Sequence, residues 1–358
     1  MIPMSSTRAD RETSNSDASP SPSFFTPWCD EHPVSPDSPR RLLVDTDTAG
    51  DDTQAILLAA LSDRVALEGV TICAGNVPFE YQVENAKYTL SLVGAEDVPV
   101  YEGARSPLSK GYTYAEYVHG EGGLGGGLFP ETAIPSADEH AVDAIVRTAR
   151  ENPGEITLAC IAPLTNLALA LQLEPELPEL LDGVWVMGGA VNALGNVTPA
   201  AEYNFWVDPD AARIVLEAFE LTLVDWGVTV RDSLFDAETF AEIESIDTEL
   251  SEFFVAITGA VREFNSQSDH DALEADVTTQ PDSMTLATLL EPDIVERAET
   301  YHVEVDDRAG LTRGYSAVDE LRVTDGKPRT RVVESVDGDR FERMMLDMLR
   351  HGDPHHSD

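Results

Sequence analysis

The sequence has 358 residues, enough for one large α/β domain or two smaller ones, and its formal net charge is −43. That charge excludes a general nucleic-acid binder and a binder of anionic membranes, because both need a basic face. Only Lys87, Lys110 and Lys327 are lysines, and so acidic and lysine-poor a composition predicts a halophilic protein, since molar salt screens self-repulsion.

Strands and helices alternate along most of the chain. Residues 1–40 are rich in Ser, Pro, Asp and Thr without periodicity, so we expect a disordered tail before a domain at 41–358. Strand-like runs occur near 42–45, 65–73, 98–100, 155–161, 183–187, 221–226, 301–305 and 330–333. Predicted helices lie between most of these runs. The alternation predicts the α/β class: a mostly parallel, doubly wound sheet with helices on both faces, in a single large domain.

Two kinds of feature are missing from the sequence. Cys29, Cys73 and Cys160 are odd in number and contain no Cys-x-x-Cys pair, which argues against a zinc site or a disulfide framework. Cys73 and Cys160 lie in apolar runs and are expected to be packed thiols. No apolar run reaches the ~20 residues of a membrane span, and no signal peptide is visible. We therefore expect a cytoplasmic protein.

A dense group of acids follows the first strand, in Asp45-Thr46-Asp47-Thr48-Ala49-Gly50-Asp51-Asp52. Near a protein surface two like charges ~4 Å apart repel by ~4 kcal/mol, so converging acids oppose folding. A divalent cation removes the conflict, and ligation by carboxylates selects Ca²⁺ or Mg²⁺. An acidic turn pointing into solvent is the alternative. The cation is favoured because the acids follow an apolar strand, where open α/β sheets bind ligands.

Further polar residues stand at the ends of later strands and at the start of a late helix. The informative set comprises Asn76, Thr165, Asn196, Glu202, Asn204 and Asp282. In a doubly wound sheet the carboxyl ends of the strands converge, so these side chains are expected to meet in one crevice. A glycine-rich stretch beginning at His119 lacks the Gly-Lys-Ser/Thr of a phosphate-binding loop and is expected to act as a lid.

The ordered set of motifs resembles the nucleoside hydrolases, the inosine–uridine-preferring family. The family's opening motif D-x-D-x-x-x-D-D matches residues 45–52. Later matches include Gly75-Asn76, His119-Gly120-Glu121, Pro163-Leu164-Thr165-Asn166, Val186-Met187-Gly188-Gly189 and Glu202-Tyr203-Asn204. The resemblance extends over roughly 42–292.

This resemblance implies metal-assisted hydrolysis of the N-glycosidic bond of a ribonucleoside. One Ca²⁺ would be held by Asp47, Asp52, the carbonyl of Thr165, and Asp282. Asp47 would also be the general base for a metal-bound water. The ribose would be bound by Asp51, Asn76, Met187, Asn196, Glu202 and Asn204. A pocket rich in anions stabilises the cationic sugar of the transition state more than the neutral substrate. Family members are commonly dimers or tetramers, so a homo-oligomer is expected.

The sequence differs from the family at the residue that helps the nucleobase to leave. Well-studied members carry His immediately before the last metal-binding Asp, where this sequence has Pro281. A nucleobase leaves more easily when protonated, so another acid is expected, and His270 and His119 are the candidates. The base preference is therefore open.

Two rival readings remain. A ribose-binding or nucleoside-binding sensor without turnover would retain the metal and the sugar pocket, and Pro281 favours it, whereas retention of Asp47 does not. An aspartate-nucleophile phosphatase would need the motif D-x-D-x-[TV], which fails at Ala49.

Overall fold

A computed structural model describes residues 39–267 and 277–351. The strands are β1 (Arg40–Thr46), β2 (Val65–Ile72), β3 (Val100–Glu102), β4 (Ile156–Cys160), β5 (Leu181–Met187), β6 (Leu221–Val224), β7 (Leu234–Phe235), β8 (Thr278–Thr279), β9 (Val295–Tyr301), β10 (Val303–Val305), β11 (Ser316–Val318) and β12 (Thr330–Val336).

The helices are α1 (Gly50–Leu61), α2 (Phe79–Ser91), α3 (Glu116–His119), α4 (Ala141–Glu151), α5 (Thr165–Leu173), α6 (Leu177–Leu180), α7 (Tyr203–Val207), α8 (Pro209–Ala218), α9 (Trp226–Asp232), α10 (Ala237–Ser245), α11 (Glu249–Gln267), α12 (Pro281–Leu290) and α13 (Gly338–Leu349). Short 3₁₀ turns lie at Glu121–Gly123 and Pro292–Ile294.

Eight of these strands form one sheet in the order β3-β2-β1-β4-β5-β6-β12-β9. Neighbouring strands are parallel except for β9, which runs antiparallel to β12 at the edge. The order reverses between β1 and β4, because the chain first builds outward to β3 and then returns to the other side of β1. Such a reversal opens a crevice at the carboxyl ends of the two strands.

Apolar strands and helices on both faces produce this architecture. β1 contributes Leu42, Leu43 and Val44, each at most 1% exposed. One apolar cluster joins the sheet to α4, α5 and α8, and another joins it to α1 and α2. Strands buried on both faces are continuous apolar runs rather than alternating ones. The predicted single α/β domain with a mostly parallel, helix-flanked sheet is confirmed.

The predicted strand at 301–305 was wrong in its bounds. The structure has the end of β9 and the start of β10 there, and β10 pairs with β11 in a separate hairpin. The sequence hides β9 because Glu296, Arg297 and Glu299 project from an edge strand. Charged side chains on an edge strand discourage pairing with other chains, and they also remove the apolar pattern.

Other expectations concern residues at the margins of the fold. Cys73 and Cys160 are buried and free, as predicted for packed thiols. β1 begins at Arg40, the last residue of the predicted tail, and residues 1–38 lie outside the described part. Among the described helices, none is long and apolar enough to cross a membrane.

Candidate metal centre and substrate pocket

Three carboxylates from the starts of two helices meet at the carboxyl end of β1. Asp51 and Asp52 occupy the first turn of α1, and Asp282 occupies the first turn of α12. One carboxylate oxygen from each lies within 4.8 Å of the others. Helix N-termini favour negative charge, which helps to hold the acids there. The predicted convergence of Asp51, Asp52 and Asp282 is observed, although the two segments are far apart in sequence.

Asp47 lies beside this cluster, in the turn between β1 and α1. Its Oδ2 accepts a hydrogen bond from the Asn76 backbone N–H at 2.8 Å. Its Oδ1 is buried and has no hydrogen-bond partner among the described residues. Gly75 permits this approach, because a Cβ there would overlap the Asp47 carboxylate. A buried carboxylate oxygen without a donor fits a cation ligand, since buried polar atoms are otherwise paired.

Asp52 is held by donors from three segments. Thr46 Oγ1 donates to Oδ1 at 2.5 Å, while the Ala49 N–H and Asn76 Nδ2 donate to Oδ2 at 3.1 and 3.2 Å. Asn76 therefore contacts both Asp47 and Asp52. Its predicted role in binding sugar is compatible with this position, because Asn76 also lines the pocket described below.

Burial is the main cause of the raised pKa values in the cluster. It raises the pKa of Asp52 to about 7, and the Asp51 charge adds to the rise. Burial also raises the pKa of Asp47 and of Asp282 well above the ordinary range, with neighbouring acids contributing. These shifts favour the protonated carboxyls, whereas a cation favours their ionised form. A cation bound at this site would therefore release protons.

The expected convergence of all four acids of the first turn was wrong for Asp45. Its Oδ1 accepts hydrogen bonds from Thr71 Oγ1 of β2 at 2.6 Å and from Asn166 Nδ2 of α5 at 2.7 Å. Asp47 and Asp45 would share a face if the strand continued, but β1 ends at Thr46, so Asp47 does not follow the alternation of the strand. Burial raises the pKa of Asp45 to about 7.

Thr165 stands at the first position of α5, after β4 and therefore across the switch point from β1. Its Oγ1 donates to Asp208 Oδ2 at 2.6 Å, so the Thr165 hydroxyl bonds to an acid outside the cluster of Asp51, Asp52 and Asp282. Asp208 also accepts from the Ala211 N–H and caps α8. This leaves the backbone carbonyl of Thr165 as the group predicted to bind metal. The anchoring role of Asp208 was missed.

A cavity of about 520 Å³ opens beside the acids. Asp51, Asp282 and His119 line it, together with all the predicted sugar-binding residues: Asn76, Met187, Asn196, Glu202 and Asn204. Its described lining includes no Lys or Arg. The structure therefore brings the predicted sugar-binding residues to one anionic pocket.

Glu202 lines this pocket and is held in place by backbone N–H groups. It caps α7, where the Asn204 N–H donates to its Oε1 at 2.7 Å and the Gly189 N–H donates to its Oε2 at 2.8 Å. Burial raises its pKa to about 7. Asn204 Nδ2 in turn donates to the Met187 carbonyl at 3.3 Å. The connection carrying these residues contains a helical turn that the sequence did not indicate.

Of the two histidines predicted to protonate the leaving base, the structure describes His119 but not His270. His119 ends α3 and lines the pocket, and its buried Nδ1 has no partner among the described residues. Burial lowers the pKa of His119, although the Asp51 carboxylate opposes this effect. His270 lies outside the described residues. Pro281 is the first residue of α12 and also lines the pocket.

The lid role of the glycine-rich stretch stays a prediction, and the structure shows how the stretch is held. The stretch begins at the last residue of α3 and contains the 3₁₀ turn at Glu121–Gly123. Asn85 Nδ2 donates to the Gly122 carbonyl at 2.9 Å and to the Thr48 carbonyl at 3.0 Å. One amide therefore joins this stretch to the acidic turn.

Sequence reasoning missed several pocket residues. Gln54 lies one helical turn after Asp51, and Gln280 lies two residues before Asp282; both line the cavity. Tyr117 and Phe264 form an apolar wall, with ring centroids 5.7 Å apart. The i, i+3 spacing from Asp51 could have indicated Gln54. Phe264 comes from α11, which no motif connects to the site.

Comparison with known proteins agrees with this geometry. The family model described as inosine-uridine preferring nucleoside hydrolase matches residues 42–343. A relative named pyrimidine-specific ribonucleoside hydrolase RihA, from Photobacterium profundum, is 34% identical over 312 residues, or 87% of this chain and 98% of the relative. An uncharacterized protein of Schizosaccharomyces pombe is 34% identical over 86% of this chain and 98% of its own length.

Solved structures of nucleoside hydrolases also resemble this fold. A plant nucleoside hydrolase, the PpNRh1 enzyme, has a TM-score of 0.81 at 27% identity and covers 87% of this chain and 99% of its own. A purine-preferring ribonucleoside hydrolase from Gardnerella vaginalis has a TM-score of 0.80 at 27% identity, covering 87% of this chain and 98% of its own.

Proposed function

Because the chain belongs to the inosine-uridine preferring nucleoside hydrolase family and is an N-ribosyl hydrolase, we propose that it hydrolyses ribonucleosides with one Ca²⁺. The ligands would be Asp47, Asp52, Asp282 and the carbonyl of Thr165. The observation that carries the proposal is the acidic cluster beside the cavity, which Asp51 and Asp282 line, together with the partnerless Asp47 Oδ1. Oxygen donors of this kind suit a hard divalent cation.

The bound ion would lower the pKa of a water molecule and orient it toward the sugar. The C1′–N bond would break with its electron pair leaving on the base, and the water oxygen would bond to C1′ as that bond breaks. Asp47 would take the proton that the water loses. Carboxylates around the ribose stabilise the positive charge that develops on the ring.

The remaining residues would bind the sugar. Asp51, Asn76, Asn196, Glu202 and Asn204 offer oxygen and amide groups to its hydroxyls, and Met187 lies at the end of β5 beneath it. Glu202 is held by backbone N–H groups, so its position needs no rearrangement when ribose binds. Preorganised polar groups of this kind favour the transition state.

Departure of the base would be assisted by His119, with His270 as the second candidate. A neutral imidazole in a buried position can relay a proton from solvent, although its lowered pKa keeps the protonated fraction small at neutral pH. The similar proteins differ in the base class that they are named for, pyrimidine-specific for one and purine-preferring for another. The base preference must therefore be measured on this protein.

The decisive experiment is to measure free ribose released from purine and pyrimidine ribonucleosides, in molar KCl with CaCl₂. Release by the native chain that Asp47→Asn reduces by at least about a thousandfold would support the proposal. Asp293→Asn is the control, because Asp293 is an exposed acid outside the pocket. Bound Ca²⁺ and ribose without release would favour a sensor, and phosphate release from phosphoesters would favour a phosphatase.

The setting of the enzyme is also part of the proposal. A net charge of −43 is best tolerated where salt screens it, so activity is expected to rise toward molar KCl. A cytoplasmic location and a dimer or tetramer follow from the sequence reading and the family resemblance. Cell fractionation and light scattering test them.

A further inference from the structure

The hairpin of β10 and β11 lies outside the main sheet and has no role in the proposed chemistry. The loop between its strands carries Arg313, which is half-buried. The guanidinium donates to three backbone carbonyls: Nε to Trp206 at 2.7 Å, Nη2 to Val207 at 3.1 Å and Nη1 to Gly111 at 2.8 Å. It also lies over the Trp206 ring, 4.4 Å from the ring centroid. Arginine suits this position, because its planar fork offers several fixed donors and stacks on aromatic rings.

Two of these carbonyls end the short helix that carries predicted sugar-binding residues. α7 contains only Tyr203–Val207, and the two carbonyls belong to its last two residues. The last carbonyls of a helix lack intrahelical donors, and so short a helix is marginal without tertiary contacts. Glu202 caps the amino end of α7, and Arg313 caps its carboxyl end. Asn204 lies between the two caps.

The third carbonyl belongs to the segment that leads into α3 and the glycine-rich stretch, because Gly111 lies shortly before α3. Tyr203 of α7 reaches the same segment. Its hydroxyl lies 2.9 Å from the Thr113 carbonyl and 3.0 Å from the Gly75 carbonyl. Gly75 in turn lies directly against the Asp47 carboxylate. α7 is therefore joined both to the segment before α3 and to the backbone beside the acids.

The hairpin also supports the other segment that Glu202 contacts. A Cβ at Gly314, whose φ is +79°, would lie 2.8 Å from the Trp206 backbone, so the hairpin backbone touches α7. In the turn after β5, the Ala190 N–H donates to Ser316 Oγ at 3.3 Å. The hairpin therefore contacts both α7 and the turn after β5, the two segments whose N–H groups hold the Glu202 carboxylate.

We propose that Arg313 is a positioning residue that caps α7 and so holds Glu202 and Asn204 in the arrangement that binds ribose. Arg313 lies outside the described lining of the cavity, so it acts through α7 rather than on the substrate. Without this cap the end of α7 loosens, and ribose must order its own binding residues when it binds, which weakens affinity. The inference rests on the proposed function, because it takes these residues to bind the sugar.

The test compares Arg313→Met with the native chain in CaCl₂, because methionine keeps an apolar stem but removes every donor. Titration calorimetry should show ribose binding about tenfold weaker, the equivalent of one hydrogen bond, with calcium affinity unchanged. In nucleoside hydrolysis KM should rise about tenfold, while kcat per folded molecule changes less than about threefold, since contacts to the sugar hydroxyls form when substrate binds. A general loss of folded protein would instead lower the apparent kcat at constant KM.

Arg308→Met is the matched control, because Arg308 lies in the same loop but is exposed and pairs with Asp306. Ribose affinity and KM should be native in this control. Arg313→Lys should weaken ribose binding about threefold, since an ammonium keeps the charge but cannot reach three carbonyls in a fixed plane. Native ribose affinity in Arg313→Met, or an equal loss in Arg308→Met, would overturn the inference and leave the hydrolase intact. If Arg313→Met does not fold, native ribose affinity in Arg313→Lys would overturn it.

Failure of the proposed function gives a different result. If the native chain binds ribose but hydrolyses no nucleoside, weaker ribose binding in Arg313→Met would keep the positioning role and refute the proposed function. A native chain that does not bind ribose would refute both.

Discussion

Asp282→Asn should make the metal-free protein more stable and remove its stabilisation by calcium. Asp282 is 5% exposed, and its carboxylate lies within 4.8 Å of Asp51 and Asp52. Two charges at this distance repel by roughly 3–4 kcal/mol at an effective dielectric constant of ~20. Because burial and Asp51 raise the pKa of Asp282, protonation already relieves part of the repulsion. A neutral amide should therefore add about 1–3 kcal/mol to the free energy of unfolding at pH 8.

Thermal unfolding in chelator and in CaCl₂, at constant molar KCl, measures this effect. The variant should unfold at a higher temperature than the native chain in chelator. Calcium at about a hundred times its Kd should stabilise the native chain by ~2.7 kcal/mol and the variant far less, which reverses the order. Asp293→Asn should match the native chain in both conditions. A variant less stable than the native chain in chelator, or stabilised equally by calcium, would refute the reasoning.

Three further changes follow from the geometry of the site. Gly75→Ala places a methyl group against the Asp47 carboxylate, so calcium affinity in titration calorimetry should fall at least about tenfold. Thr165→Val removes the 2.6 Å hydrogen bond to buried Asp208, and denaturant unfolding should show a loss of about 1–3 kcal/mol. Burial raises the pKa of Glu202 from 4.5 to about 7, so folded protein holds a proton there that unfolded protein has released. Glu202 alone should therefore lower the free energy of unfolding of metal-free protein by ~3 kcal/mol between pH 4.5 and pH 7, and Glu202→Gln should lose this contribution.

A specific result would contradict each of these three predictions. Gly259→Ala, where a Cβ meets open space, should leave calcium affinity unchanged, and an equal loss at both glycines would show that the effect is not local. A Thr165→Val protein as stable as the native chain would mean that the hydroxyl does not hold the turn. An unchanged pH dependence in Glu202→Gln would assign the titration to other buried acids.

The parts of the fold that the sequence predicted are those set by local pattern. β1, β4 and β5 are continuous apolar runs, and α1 begins with two acids, so neighbouring residues were sufficient to locate them. The edge strand β9 was missed because its charged residues reflect its exposure, which only the completed sheet defines. Local periodicity cannot show which strand lies at an edge.

In the site, too, local pattern predicted some residues, and long-range packing determined others. The acidic turn and its likeness to a known motif pointed to Asp47, Asp51 and Asp52 from sequence alone. The turning away of Asp45 could not be predicted, because it depends on Asn166, which reaches Asp45 from α5. Gln280 could not be placed either, since its partnerless oxygen is a property of the packed cavity. Long-range packing decides which polar residues are left without partners.

The contact between α1 and α12 has a consequence for how the chain acquires its site during folding. The Asp282 N–H faces Asp51 Oδ2 at 3.5 Å, across 231 positions of sequence. A cation held by both helices would link two segments that are far apart in sequence. Because it would bind only the docked arrangement, it would stabilise the folded state without restricting the unfolded chain. The ligand set is complete only after the last third of the chain has docked, so calcium binding should follow folding of α12. Calcium would then slow unfolding more than it speeds folding.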